Sequence, residues 1–215
     1  MLFLTYINIF FKKYTFVCFI LILKYMKKIA LFFCILLSVS MYAKKASVGS
    51  FSDWNDLDYV EIDQLINAKD YTTLYIVPVD ESQVVFPDKD DNKYPAMKKA
   101  LANFRSIIQE EFVGEYKNLK VVLTDKKVTP KANELVLAVK IEEINMGERA
   151  LRAWVGFGAG AQSVQISATL SNANGKVYYL KQRRLSTKMS SYQSCLESEF
   201  EELSEDMVDV LKYMK

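Results

Sequence analysis

Histidine is absent from all 215 residues of this chain. Its absence excludes the Ser-His and Cys-His pairs that activate many nucleophiles, and it removes the side chain that most often binds transition metals. Carboxylates remain for acid–base chemistry, but the doublets in the sequence are neighbours whose side chains project in different directions: Glu110-Glu111, Glu142-Glu143 and Glu201-Glu202. The sequence therefore predicts no catalytic residue, no metal ligand set and no cofactor.

Long hydrophobic runs are also missing. The apolar stretches at 2–11, 14–23 and 29–43 are separated by lysines and fall short of the ~18 to 20 apolar residues of a spanning helix. Residues 26–43 combine two lysines, a short apolar run and the small residue Ala43 at its end, which is typical of a secretory signal peptide. Cleavage after Ala43, or after Ser40, starts the mature chain near Lys44. The alternative interpretation retains these stretches as membrane anchors.

Residues 1–25 lack Gly, Ala, Pro, Arg, Asp and Glu. They consist mostly of amino acids that AT-rich codons encode, so our hypothesis is mis-assigned upstream translation with the true start at Met26. A lipoprotein signal requires a cysteine directly after a small residue at the end of the apolar run. Cys34 instead follows Phe33 in the middle of the run, and we therefore expect no lipid attachment.

Charge is unbalanced only in the N-terminal segment. Residues 1–43 hold five of the 28 basic residues and none of the 26 acidic ones, so the mature chain carries 23 basic and 26 acidic residues, a net charge of −3. This balance gives no sign of a nucleic-acid partner. Its 172 residues, 215 minus 43, fit one domain. Only Cys195 remains after processing, and we interpret it as a buried core thiol on an apolar helix face.

The periodicity of the mature chain predicts an α+β fold. Residues 44–58 are polar and irregular, which predicts a flexible linker before a single domain at 59–215. The predicted elements are strand 72–79, helix 95–116, strands 119–124, 134–144, 163–170 and 176–185, and helix 191–214. The order β-α-β-β-β-β-α favours a mainly antiparallel sheet of about five strands with two helices packed on one face.

The most distinctive segment is 147–160, which contains Arg149, Arg152, Trp154 and Phe157 and reads Gly-Phe-Gly-Ala-Gly from Gly156. With the strand that follows and a turn ending in Gly-Lys, it resembles a family of uncharacterised bacterial envelope proteins, many of them lipoproteins. Members share an Arg-x-x-Arg segment before the glycines and a C-terminal helix. The resemblance covers about residues 70 to 214. It implies an α+β envelope domain with no catalytic residues, and this chain departs from many members in lacking a lipid-attachment cysteine.

The glycine spacing does not suit a phosphate loop, because Gly-x-Gly-x-Gly precedes a strand here and not a helix. Glycines at alternate positions leave one side of an extended segment bare, which allows close approach by another backbone. Trp154 and Phe157 flank that bare strip, either as core residues or as part of a partner-binding patch. Arg149 and Arg152 are ordinary surface residues in one interpretation and partner contacts in the other. These four are our candidate partner-binding residues.

An acidic loop, residues 88–92, matches the first three ligand positions of a calcium loop. Lys93 then replaces the required glycine and Lys99 the closing glutamate, so we interpret the loop as a solvated turn, with weak calcium binding as the alternative.

Three functions remain open from the sequence. The first is an exported, non-enzymatic envelope protein, periplasmic or associated with the outer membrane, that binds another envelope protein. The others are a small-ligand-binding periplasmic domain and a carboxylate-dependent hydrolase. In each, membrane contact is expected only through the leader, if it is retained.

The signal-peptide interpretation predicts the N-terminus of the protein in the cell. We expect the chain purified from the native envelope to begin near Lys44, because Ala43 is the small residue best placed for cleavage. Intact-mass measurement with N-terminal peptide mapping tests this. A purified chain that retains residues before Met26 would contradict both the cleavage and the proposed start.

Overall fold

The secondary structure was obtained from a computed structural model, which describes residues 46–148, 160–188 and 190–214. The elements are β1 (Gly49–Trp54), β2 (Leu57–Ile62), a 3-10 turn (Ala68–Asp70), β3 (Thr73–Ile76), α1 (Lys93–Glu115), β4 (Lys120–Leu123), β5 (Glu134–Asn145), β6 (Gln162–Asn172), β7 (Gly175–Ser186) and α2 (Tyr192–Tyr213). All seven predicted elements are present, and the α+β class is confirmed. Helix α1 begins two residues before the predicted Pro95, which is tolerated in the first turn because the amide groups there need no helical partner.

The sheet is larger and more mixed than predicted. Its seven strands lie in the order β1-β2-β7-β6-β5-β3-β4. Strand β3 is parallel to both of its neighbours, β4 and β5, whereas the other pairs are antiparallel. The expectation of a mainly antiparallel sheet of about five strands is therefore correct only for the β1-β2-β7-β6-β5 side. Parallel pairing of β3 with β4 follows from the crossover through α1, since parallel neighbours need a long connection.

Strands β1 and β2 correct the expected linker over residues 44–58. They form an antiparallel hairpin in which Trp54 pairs with Leu57. The two intervening residues, Asn55 and Asp56, have φ of 50° and 67°, as a type I′ turn requires. Trp54 and Leu57 are buried, and the Trp54 ring lies edge-on to Tyr213 of α2 at 5.4 Å between centroids. Burial of these two apolar side chains orders a segment whose polar composition indicated a tether.

Both helices pack on the same face of the sheet. The rings of Phe104 on α1 and Phe200 on α2 stack with centroids 4.0 Å apart, and both side chains are fully buried. Beneath α2, the fully buried Tyr178 of β7 donates its hydroxyl hydrogen to the Met207 carbonyl at 3.1 Å. Cys195 is buried, as predicted for a core thiol. Within the described ranges, no helix has the length and apolar character needed to cross a bilayer.

A partly buried ion pair also joins α2 to the sheet. Arg184 of β7 donates its Nε hydrogen to Asp206 Oδ2 at 2.9 Å, and its Nη2 contacts Oδ1 of the same carboxylate. Burial raises the pKa of the Asp206 carboxyl to about 6 from its ordinary 3.8, although Arg184 opposes that rise. Because the folded pKa is the higher one, this carboxyl disfavours the folded state increasingly as the pH rises through that interval.

We predict that Arg184→Met lowers the free energy of unfolding by about 3 kcal/mol near pH 7.5 and by less near pH 5. Without its cation the buried carboxylate is harder to ionise, so the cost of the substitution grows with pH. Urea denaturation at both pH values measures it. Arg183→Met is the matched control, because Arg183 is one residue away and exposed, with Glu143 3.9 Å distant. An equal loss at both pH values would show that Asp206 does not determine the effect.

Candidate functional site

A groove lies at the end of the sheet where β5 ends, β6 begins and β7 ends. Its volume is about 760 Å³. The loop before α1, the first turns of α1, the end of β5, the start of β6 and the end of β7 line it. We call it the end groove and define it by residues 85–87, 91, 93, 97, 143–148, 160, 161, 163, 183 and 185. It combines charged and apolar side chains, as expected of a binding site.

Gly147 shapes the chain at this groove. Its φ is 59°, and a Cβ on this residue would collide with the carbonyl oxygens of Gly160 and Ala161. The amide of the next residue, Glu148, donates to the Gly160 carbonyl at 3.0 Å, and the Gly147 amide donates to Asn145 Oδ1 at 2.9 Å. Glycine is therefore required at position 147 for two reasons: the backbone there is left-handed, and a second backbone segment approaches it closely.

An ion pair crosses the groove. Lys93 Nζ lies 2.5 Å from Glu148 Oε1, and its side chain is only 16% exposed. The same ammonium lies 5.7 Å from the centre of the Tyr192 ring in the first turn of α2. The hydrogen bond to Glu148 raises the pKa of Lys93 above its usual value. Lys93 thus stays protonated at neutral pH and joins the starts of both helices to the chain that follows β5.

The rim of the groove exposes three large apolar side chains. Val85 is 81% exposed, Leu185 66% and Phe86 37%, and they account for half of the six large apolar side chains exposed among the described residues. Isolated apolar residues at a surface are normal, whereas a cluster beside a groove marks an interaction site. Sequence periodicity did not identify these residues. The signals that could have identified them are the run Val84-Val85-Phe86 within a polar loop and Leu185 at a polar position near the end of β7.

The four residues predicted to bind a partner, Arg149, Arg152, Trp154 and Phe157, lie outside the described residues. Their segment leaves the described chain at Glu148 and rejoins it at Gly160, and both of these residues line the end groove. The four residues therefore stay predictions, and only the two described ends of their segment are placed at the groove.

The acidic loop leads into α1 and supplies a hydrogen-bond acceptor to the first residue of that helix. The amide of Asp91 donates to the Asp88 carbonyl at 2.9 Å, and Asp91 Oδ1 accepts a hydrogen bond from the Lys93 amide at 2.8 Å. Asp91 therefore satisfies one of the amides at the start of α1. Across the described part of the chain, no group of three or more acidic or cysteine side chains is arranged to hold a metal ion.

Comparison with known families assigns the chain to one of them. Residues 69–179 match a domain of unknown function, DUF4410. The chain belongs to this family. The match confirms the expectation of an uncharacterised domain family, while the Arg-x-x-Arg and glycine segment quoted for the resemblance stays a prediction. The DUF4410 match begins in the 3-10 turn before β3 and ends within β7. The β1-β2 hairpin and α2 therefore lie outside it.

Known structures show distant similarity to this DUF4410 protein. The PelC dodecamer from Paraburkholderia phytofirmans is 12% identical, with 68% of this chain and 92% of that chain covered and a TM-score of 0.44. The hypothetical protein CT253 from Chlamydia trachomatis is 12% identical, with coverages of 66% and 97% and a TM-score of 0.42. Lipoprotein GNA1162 from Neisseria meningitidis is 14% identical, with coverages of 64% and 99% and a TM-score of 0.34. No curated protein matches the sequence significantly.

We predict that Gly147→Ala lowers the free energy of unfolding by about 2 kcal/mol or more, because the added methyl group meets two carbonyls and the backbone stays left-handed. Gly114→Ala is the matched control. Gly114 lies in α1 with open space around its Cβ position, so alanine there should stabilise the protein by about 0.5 to 1 kcal/mol. Thermal and urea unfolding measure both. Similar effects of the two substitutions would contradict the close approach at Gly147.

Proposed function

We propose that this protein is exported to the cell envelope and acts there by binding another envelope protein through the end groove, without catalysing a reaction. The observation that carries the proposal is the exposed apolar cluster of Val85, Phe86 and Leu185 at the rim. These side chains lose contact with water only when another molecule covers them. Burial of large apolar side chains supplies most of the binding free energy at protein interfaces.

Export is supported by residues 26–43, whose composition is typical of a secretory signal peptide. A periplasmic location or association with the outer membrane follows from that interpretation. Its one mature cysteine is buried, so packing and not an internal disulfide stabilises the domain in an oxidising compartment.

The charges of the groove support binding over acid–base chemistry. Three carboxylates line it, from Asp91, Glu143 and Glu148. Glu148 is paired with Lys93, and Asp91 accepts a hydrogen bond from the Lys93 amide. Glu143 is about half exposed, with Arg183 at 3.9 Å. Each carboxylate thus serves the local structure or faces water, and the hydrolase hypothesis gains no support from them.

Binding of a small molecule is the second candidate, because the groove volume of about 760 Å³ is within the range of ligand pockets. The exposed rim favours a polypeptide instead, since a small ligand would sit within the groove and leave Val85 and Leu185 in water. A metabolite that raises the melting temperature of the purified protein, with no polypeptide captured in cells, would reverse this preference.

We predict that Phe86→Ser combined with Leu185→Ser removes the partner recovered by in-cell crosslinking of a C-terminally tagged protein, followed by mass spectrometry. The double variant should keep its melting temperature within a few degrees, because neither side chain belongs to the hydrophobic core, although the Phe86 ring lies 5.9 Å from that of Tyr94. Val113→Ser is the control, since Val113 is 44% exposed on α1 and is not a groove residue. A partner retained by the double variant would exclude the end groove as the binding surface.

Trp154 and Phe157 are tested in the same assay. If they contribute to this surface, Trp154→Ala and Phe157→Ala should reduce capture of the same partner. Unchanged stability and unchanged partners in both variants would remove the glycine segment from the proposal while leaving the groove itself untouched.

A further inference from the structure

The two edges of the sheet carry opposite charge. Strand β1 forms one edge and β4 the other. Residues 49–63, which span the β1-β2 hairpin, contain five acidic side chains and no basic one. Residues 116–127, which span β4 and its flanking turns, contain four lysines and a single acidic residue. The mature chain therefore has a small net charge although one edge of its sheet is acidic and the other is basic.

The acidic edge keeps most of its charge in the folded chain. Lys176 lies 3.0 Å from Glu61 and 3.4 Å from Asp63 and offsets their charge. Asp53, Asp56 and Asp58 are exposed and form no ion pair among the described residues. Asp58 is partly compensated, since its Oδ2 accepts a hydrogen bond from the Arg183 amide at 2.8 Å and the Arg184 guanidinium is near it. Asp53 and Asp56 also have φ of 51° and 67°, a conformation that aspartate tolerates better than most residues.

The basic edge keeps its charge as well. Lys117, Lys120, Lys126 and Lys127 are all exposed. The acidic residue among them, Asp125, is paired with Arg105 of α1 at 2.8 Å, so it neutralises none of the four lysines. Attraction between this edge and the acidic one acts only between two copies, because the two edges lie at opposite ends of one seven-stranded sheet.

Backbone groups for strand pairing are present at both edges. In an edge strand, every second residue directs its N–H and C=O away from the neighbouring strand. Strand β1 offers such positions over six residues, with Ser50 and Ser52 exposed. Strand β4 is shorter, and Gln109 Nε2 donates to its Val121 carbonyl at 3.1 Å. Pairing through β4 is therefore short, and charge must supply much of its specificity.

We infer that the β4 edge of one copy pairs with the β1 edge of a second copy of this chain. Head-to-tail pairing brings the basic edge of one copy next to the acidic edge of the other, whereas pairing of like edges would bring charges of one sign together. A contact between two different surfaces leaves one free edge on each end of the pair, so association continues until a ring closes or a filament forms. This inference is independent of the end groove, which lies at neither edge strand.

Light scattering coupled to size-exclusion chromatography tests the inference, using protein expressed from the full sequence with a C-terminal tag. We expect oligomers at low ionic strength that dissociate as the salt rises from about 0.1 M to about 1 M, because the Debye length falls from about 10 Å to about 3 Å. Lys120→Glu with Lys126→Glu and Lys127→Glu should weaken association by about tenfold or more. Asp53→Asn with Asp56→Asn should weaken it too, since asparagine keeps the positive φ.

The control is Lys89→Glu with Lys98→Glu and Lys99→Glu, which makes the same change of charge at exposed positions away from both edges. Circular dichroism shows whether each variant is folded. A wild-type chain that stays monomeric at low salt up to the highest attainable concentration would overturn the inference, and so would oligomers that neither salt nor the two edge variants affect. Phe86→Ser with Leu185→Ser should leave association unchanged, which separates this result from the groove proposal.

Discussion

The contact between Phe104 and Phe200 holds the two helices against each other over one face of the sheet, and the other features of the molecule depend on it. Helix α1 connects β3 to β4 along the sheet and returns the chain to the same end, so these two strands run parallel. The first turn of α1 then brings Lys93 to Glu148, and the middle of the helix brings Gln109 to the edge of β4. One aromatic stack thereby positions both the groove and the basic edge.

Sequence periodicity predicted the helices and the antiparallel strands, because the spacing of buried residues within each element follows from its local backbone geometry. The apolar residues of β6 and the apolar stripe of α2 are buried as predicted, although the polar face of β6 is also covered, with Ser163 and Ser167 buried. The β1-β2 hairpin was missed because its Asn55-Asp56 turn lacks the glycine that usually signals such a turn. The parallel position of β3 depends on tertiary packing, which no periodicity of the sequence records.

The residues that line the groove were mostly not predicted from the sequence. Glycine content drew attention to residues 147–160, and Gly147 does have the positive φ and close backbone approach that glycine allows. The Lys93 pair with Glu148 joins residues 55 positions apart, so spacing alone could not reveal it. Exposure of Val85 and Leu185 was equally hidden, because an apolar residue in a sequence is expected to be buried until the packing shows otherwise.

The exposed apolar side chains and the unpaired charges both indicate surfaces that other molecules cover. Neither stabilises the isolated fold: Val85 and Leu185 remain in water, and Asp53, Asp56 and Asp58 place like charges within one short hairpin. A folding requirement would favour polar residues at the first two positions and mixed charges at the others. Their presence is explained if both surfaces are covered in the working protein, the groove by one polypeptide and the edges by further copies of the chain. The two surfaces involve different strands, so both contacts are compatible within one assembly.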